Sequence, residues 1–332
     1  MSRLLDVLAD LPGPDLAAGD AVRARAADIL RPAGALARLD ELAAWVAEWQ
    51  RTPTPAVRRP AALVFAADHG VAAAGVSKYP IDVTAAMLSA YRSGRSTVSA
   101  FASVAGATVH AVDVGVGRPT GDIRTEPALS AARFDECVEA AFRAVDELDT
   151  DLLVLGEMGI GNTTAAAAVA AAIDRSQGGT DHTVWVGRGT GVDDDALAVK
   201  RDAVVAAVRR TARIDDPLEL LREVGGAELV AIAAAVVAAR LRNIPVLLDG
   251  YVVTAAALPL EVLHRGALDH CRIGHTSAEP GHRMLVERLC QQPLLDLGMR
   301  LGEASGAMAA VPLVAMACAG ITEVPTFGEW FG

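Results

Sequence analysis

Aromatic side chains are scarce in this chain, 4% of 332 residues, which argues against the stacking platforms that single-stranded nucleic acid uses. Dense basic blocks are lacking too. The net charge is −11, so no nucleic-acid partner is expected. The four cysteines, Cys137, Cys271, Cys290 and Cys318, form no C-x-x-C pair, which points to a reducing compartment, the cytoplasm, and away from structural zinc. Residues 1–23 lack a basic segment followed by an apolar core, so secretion is not expected. One long stretch without charge, residues 304–322, is rich in alanine and glycine and holds Pro312. It reads as a buried helix interrupted near Pro312 and not as a membrane span. What the chain has in quantity is apolar residues, 52%, enough for a large core. These features fit an enzyme or a small-molecule binder.

Residues 1–58 read as helices on polar connections, with Pro53 and Pro55 marking a boundary. From Ala61 the pattern changes. Short apolar runs at 61–67, 108–114, 152–155, 183–186 and 244–248 each end in Asp, Gly or Glu, with helix-forming stretches between them. Strands that alternate with helices predict a parallel sheet covered on both faces, an α/β fold. Ligands of such sheets bind beyond the carboxyl ends of the strands, so the residues after each run carry the interest.

Four stretches stand there. Asp68-His69-Gly70 follows the first run, where an Asp or His is commonly a turn former. Gly156-Glu157-Met158-Gly159-Ile160-Gly161-Asn162-Thr163-Thr164 precedes an alanine-rich helix, an arrangement that aims backbone N–H groups at a phosphate. It is neither a Walker A loop nor a complete G-x-G-x-x-G, and a capped helix behind a tight turn explains it as well. Gly187-Arg188-Gly189-Thr190-Gly191 is a second such loop, followed by Asp193-Asp194-Asp195 and Lys200. The aspartates read as a helix cap sooner than as a metal cluster, since no His or Cys adjoins them. His275 and His282 flank Ser277 and Glu279, but their spacing fits no zinc signature, and no metal or cofactor is expected.

Leu301-Gly302-Glu303-Ala304-Ser305-Gly306-Ala307 sets one carboxylate among small residues at the head of the uncharged stretch. Glu303 is either a helix-start glutamate favoured by the dipole or a catalytic carboxylate in a tight backbone setting.

Taken in order, these segments resemble the nicotinate-nucleotide–dimethylbenzimidazole phosphoribosyltransferase family of cobalamin biosynthesis, from about Arg31 to Phe327. The resemblance implies a Rossmann-like parallel sheet flanked by helices, with a smaller helical domain formed from both chain ends. The boundaries would be 1–58 plus 290–332 for the helical part and 59–289 for the α/β part. It implies a homodimer acting on small molecules, nicotinate mononucleotide and a benzimidazole base, with no membrane partner. Glu303 would be the general base. Glu157, Gly159, Gly161, Gly189 and Lys200 would surround the mononucleotide, Asn162, Thr163, Gly187, Thr190 and Gly302 would also bind substrate, and Ser77, Tyr79 and Met87 would wall the base pocket. The chain departs from the family pattern at Thr84-Ala85-Ala86-Met87, at Gly94-Arg95-Ser96-Thr97-Val98-Ser99 and at Ala304-Ser305. These departures bear on the acceptor base. Rival readings are a relative that ribosylates another base or a phenol, and a non-catalytic nucleotide- or ribazole-binding paralogue.

Overall fold

The computed structural model describes residues 1–332, with all side chains except that of Ser2. Its centre is one five-stranded sheet: β1 (Pro60–Ala67), β2 (Thr108–Gly115), β3 (Leu152–Met158), β4 (Val246–Leu248) and β5 (Cys271–Ile273). The spatial order is β2-β1-β3-β4-β5, and every pairing is parallel. The α/β expectation is met. Because the order reverses beside β1, the crevice for a ligand opens where the carboxyl ends of β1 and β3 diverge.

Alternation along β1 divides the core. Ala61, Leu63, Phe65 and Ala67 face one layer of helices, including Ala131–Asp146, Asn162–Ser176 and Ala227–Leu241. Ala62, Val64 and Ala66 face the other, built from Leu16–Asp28, Ala37–Gln50, Val83–Arg92, Thr97–Ala105 and Ser305–Thr322. With both faces covered, β1 and β3 are buried at every residue, which is why they read as unbroken apolar runs.

Three expectations about the strands are corrected. Residues 183–186 are not a strand: Thr183–Trp185 is a single 3-10 turn. Asp181 nucleates it, its carboxylate accepting the Thr183 N–H at 2.9 Å and the Thr183 hydroxyl at 2.8 Å. The fifth strand is instead β5, three residues long with a charged Arg272 at its centre, which carries no apolar-run signal. Finally, β3 runs past Leu155 to Met158, so Glu157 stands on the strand and not in the loop after it.

The uncharged stretch is the helix Ser305–Thr322, and it continues through Pro312 without interruption. It is long and apolar enough to cross a membrane, but ten of its residues are buried against the sheet and the helices Ala37–Gln50 and Thr97–Ala105. The two chain ends are joined: Leu30 N–H donates to the Pro325 carbonyl at 3.0 Å, and Arg25 pairs with Glu329 at 2.9 Å.

Candidate active site

At the end of β3 the backbone turns through Gly159, Ile160 and Gly161 into the helix Asn162–Ser176. Gly161 has φ +98°, a conformation open to glycine. Gly159 is pressed against its surroundings, since a Cβ there would lie 2.7 Å from the Ala67 carbonyl oxygen and 3.0 Å from Glu228 Oε1. The turn is held from the side by Thr84, whose hydroxyl accepts the Ile160 N–H at 3.3 Å.

Glu157 is buried beneath this turn and accepts a hydrogen bond from the Asn162 amide. Burial pushes its pKa up to about 8; the Asn162 bond opposes that shift, and the negative charges of Asp249, Glu228 and Glu303 add to it. Glu157 therefore keeps its proton through neutral pH.

The segment before the last long helix supplies the second carboxylate. Gly302, Glu303 and Ala304 have φ of +80°, +61° and +65°, three successive left-handed residues of which two carry side chains. Each non-glycine residue there costs about 1–2 kcal/mol, so the surroundings must impose the shape. The Ser305 N–H and hydroxyl both donate to the Gly302 carbonyl, at 2.9 and 2.6 Å. Ala304 is packed onto β3, where a Cβ on Gly156 would lie 2.3 Å from its nitrogen. A Cβ on Gly302 would lie 2.5 Å from Glu157 Oε1, so the two glutamates meet across this glycine.

Glu303 is 9% exposed. Burial raises its pKa; the Tyr91 hydroxyl lowers it and the Asp249 charge raises it further. Tyr91 is buried in the helix Val83–Arg92 and has no well-formed hydrogen bond, although Glu303 is near enough to feel its hydroxyl. The helix that follows receives no cap from the 303–304 segment. Its start is capped by Asp249 from the end of β4, which accepts the Ala307 N–H at 2.7 Å. The helix-start explanation of Glu303 thus fails on geometry, and its carboxylate is free for other work.

The second glycine loop follows the 3-10 turn and meets the first. Lys200 is 1% exposed and donates to Thr163 Oγ1 at 2.9 Å, and among the described residues it forms no ion pair with a carboxylate. Burial lowers its pKa to about 8, opposed by the more distant Glu279. A Cβ on Gly189 would lie 3.1 Å from Thr163 Oγ1 and 3.2 Å from Lys200 Nζ. Gly189, Thr163 and Lys200 therefore converge, with Gly187 buried beside them against Glu279 and Thr190 exposed. A buried ammonium without a counterion beside two glycine turns suits a small anion.

The other candidates lie as follows. Met87 packs in the layer that holds the Ser305–Thr322 helix. Ser77 accepts the Tyr79 N–H at 3.2 Å and Tyr79 is 45% exposed, with no hydrogen bond from either to the two glutamates. His282 is engaged at both nitrogens, accepting the Ser277 N–H at 2.8 Å and facing Thr254 Oγ1 at 3.2 Å, and His275 Nδ1 lies 3.4 Å from Asp249. Both histidines support the loop. Among the described residues no cluster has the makings of a metal site, and Asp193 caps its helix at the Ala196 N–H. A cleft of about 530 Å³ is lined by Arg23, Trp45, Glu48, Asp269 and Arg272, and neither Glu157 nor Glu303 lines it. Sequence reasoning did not single out Tyr91 and Glu228, and it noted Asp249 and Glu279 only as members of strand-end and loop segments, without a role. Only Asp249, in an Asp-Gly step at a strand end, carried a local signal.

Acid–base groups beside an anion cradle at the carboxyl edge of a doubly wound sheet define an α/β enzyme for phosphorylated small molecules. A family model described as phosphoribosyltransferase, DBI_PRT, matches residues 11–330, and the chain belongs to that family. The chain is 46% identical over 324 residues to the nicotinate-nucleotide–dimethylbenzimidazole phosphoribosyltransferase of Methylocella silvestris, covering 97% of this chain and 94% of the relative. It is 44% identical over 320 residues to the enzyme of that name from Cereibacter sphaeroides, covering 96% and 93%. The crystal structure of CobT from Thermus thermophilus superposes with a TM-score of 0.88 at 38% identity, covering 94% of this chain and 98% of that one.

Proposed function

We propose that this phosphoribosyltransferase moves 5-phosphoribose from nicotinate mononucleotide to 5,6-dimethylbenzimidazole, giving α-ribazole 5′-phosphate and nicotinate for the nucleotide loop of cobalamin. The names of its relatives support the substrates. The observation that carries the chemistry is Glu303, a buried carboxylate of raised pKa whose helix-capping role has been taken by Asp249.

In this reading one benzimidazole nitrogen attacks C1′ of the ribose. The bond from C1′ to the pyridinium nitrogen breaks, and its electron pair returns to the ring to leave nicotinate. Attack from the opposite face inverts the anomeric centre. The acceptor's other nitrogen becomes acidic as the new bond forms, and Glu303 takes its proton. Holding the reactants in line contributes several kcal/mol, roughly 7–11 at the well-oriented limit, and general-base help adds about 10²–10⁴ in rate. Lys200, Thr163 and Gly189 grip the 5′-phosphate. Glu157, protonated near neutrality, suits a hydrogen bond to a ribose hydroxyl better than stabilisation of positive charge. Met87, Ser77 and Tyr79 border the acceptor.

We further infer a homodimer working in the cytoplasm, with residues 1–58 and 290–332 acting as one helical unit; the bonds between the chain ends support that division. The test is to incubate the protein with nicotinate mononucleotide and dimethylbenzimidazole, then look for nicotinate and a new ribotide by mass. A folded protein that binds the nucleotide yet releases no nicotinate with any benzimidazole or phenol acceptor would overturn the proposal.

A further inference from the structure

We propose that Glu279 is a resident anion in the phosphate cradle, which the donor's 5′-phosphate must displace from the Gly189 amide before it can be held; this rests on the reading of Gly189, Thr163 and Lys200 as that cradle.

Glu279 occupies the N-cap position of the helix Pro280–Arg288 but gives that helix no side-chain cap. Its carboxylate turns away and accepts the Gly189 N–H at 2.7 Å. It does so while 8% exposed, and its other oxygen, Oε2, is buried with no hydrogen-bond partner. A Cβ on Gly187 would lie 2.1 Å from that oxygen, so the carboxylate fills the floor of the loop. A carboxylate that forsakes its own helix for a distant amide and leaves one oxygen unpaired is poorly satisfied.

The cradle offers more than Glu279 uses. Lys200 Nζ, from the helix Asp194–Arg210, has only Thr163 as partner and lies beyond ion-pairing distance of Glu279. Arg300 from the segment before Glu303 attracts the carboxylate, and Tyr251 from the helix Tyr251–Leu263 is near enough to feel its charge while donating its hydroxyl to the Trp185 carbonyl at 2.6 Å. A phosphate seated here meets the Gly189 amide, the Thr163 hydroxyl and the Lys200 ammonium together. A carboxylate and a phosphate cannot both hold one amide, because two desolvated anions at that separation repel strongly. Glu279 thus sets a threshold: a dianionic phosphate passes it, and a nucleoside or weakly charged anion does not.

The test uses the full chain and inorganic phosphate, titrated by calorimetry into wild type, Glu279→Gln and Glu279→Ala. Both variants should bind phosphate roughly tenfold more tightly at neutral pH, the size of one charge-assisted hydrogen bond. The gap between wild type and Glu279→Gln should narrow in mild acid, since burial raises the Glu279 pKa and protonation releases the amide. Ionisation of phosphate is common to both proteins and cancels in the ratio, whereas Lys200 loses the Glu279 charge that favours its ammonium, which works against tighter binding by the variants at neutral pH. Equal or weaker phosphate binding by the variants, with an unchanged melting temperature, overturns the proposal and makes Glu279 a loop support. If one variant melts early, the other decides. Absence of phosphate binding by all three proteins also overturns it, while nicotinate release by the wild type tests the transferase reading separately.

Discussion

Asp249 Oδ1 accepts the Ala307 N–H at 2.7 Å, so the residue just after β4 caps a helix whose own leading carboxylate, Glu303, does not. The first N–H groups of a helix favour an anion, and this one is supplied from elsewhere in the chain. His275 lies 3.4 Å from the same oxygen, and its ring occupies the space that a Cβ on Gly306 would need, 2.0 Å from Nδ1. The ends of β4 and β5 are therefore fastened to the helix start, and the left-handed run at Glu303 is held from both sides.

Replacing Asp249 tests that arrangement. Asp249→Ala loses a buried cap, a cost of about 1–2 kcal/mol, and loosens the helix start that directly follows Glu303 and Ala304. Urea denaturation should show that loss, and kcat should fall by roughly tenfold or more through misplacement of Glu303 while KM for the nucleotide moves little. Unchanged kcat in a destabilised variant would reduce Asp249 to a purely structural residue.

Glu303→Gln should bind nicotinate mononucleotide as wild type does and lose about 10²–10⁴ in turnover, measured as nicotinate release. The pH profile gives an independent check. As the proposed base Glu303 must be an anion, and burial raises its pKa, so activity should fall as pH drops through a value above the usual glutamate range. The Tyr91 hydroxyl favours the Glu303 anion, so Tyr91→Phe should move this acidic limb to higher pH. A limb that stays in place would separate Tyr91 from the base.

Lys200 predicts a trade between stability and binding. Its pKa falls from 10.5 to about 8 in the folded protein because burial disfavours the ammonium. Its charged form therefore opposes folding below pH 8 by roughly 3–4 kcal/mol, and that penalty fades as pH rises from about 8 toward 10.5. Lys200→Met should raise the melting temperature at neutral pH and abolish phosphate-dependent stabilisation of the protein. A less stable variant that still binds phosphate would refute both halves.

The strands were legible where burial on both faces leaves a continuous apolar run, as in β1. They were not where the signal is only local. Thr183-Val184-Trp185-Val186 has the composition of a strand, yet Asp181 bends it into a turn. β5 is too short and carries Arg272, whose guanidinium lies 4.9 Å from the Trp45 ring centroid instead of in solvent. The glycine turns and Glu303 could be singled out because backbone freedom and an isolated carboxylate show in the order of residues. Asp249, Tyr91 and Glu279 act on groups far away in the chain, and nothing in their own neighbourhoods reveals the partner.

Gly156 offers the most direct check on the geometry of Glu303. It sits mid-strand in β3 with ordinary extended backbone, so an alanine would be harmless on conformational grounds and somewhat favourable for the strand. The nearest obstacle is Ala304, whose nitrogen, Cβ and Cα would lie 2.3, 2.5 and 2.7 Å from the new methyl. One side must yield, and the strand is locked between β1 and β4, so the 302–304 segment is displaced. Gly156→Ala should cost about 1–3 kcal/mol in stability, the range for an overpacked core, and should lower kcat with dimethylbenzimidazole far more than it weakens nucleotide binding. Lys200 stands on the helix Asp194–Arg210 and its partner Thr163 on the helix beyond the Gly159–Gly161 turn, so the cradle should keep its place. A variant with normal turnover would mean that the acceptor's proton leaves by some group other than Glu303.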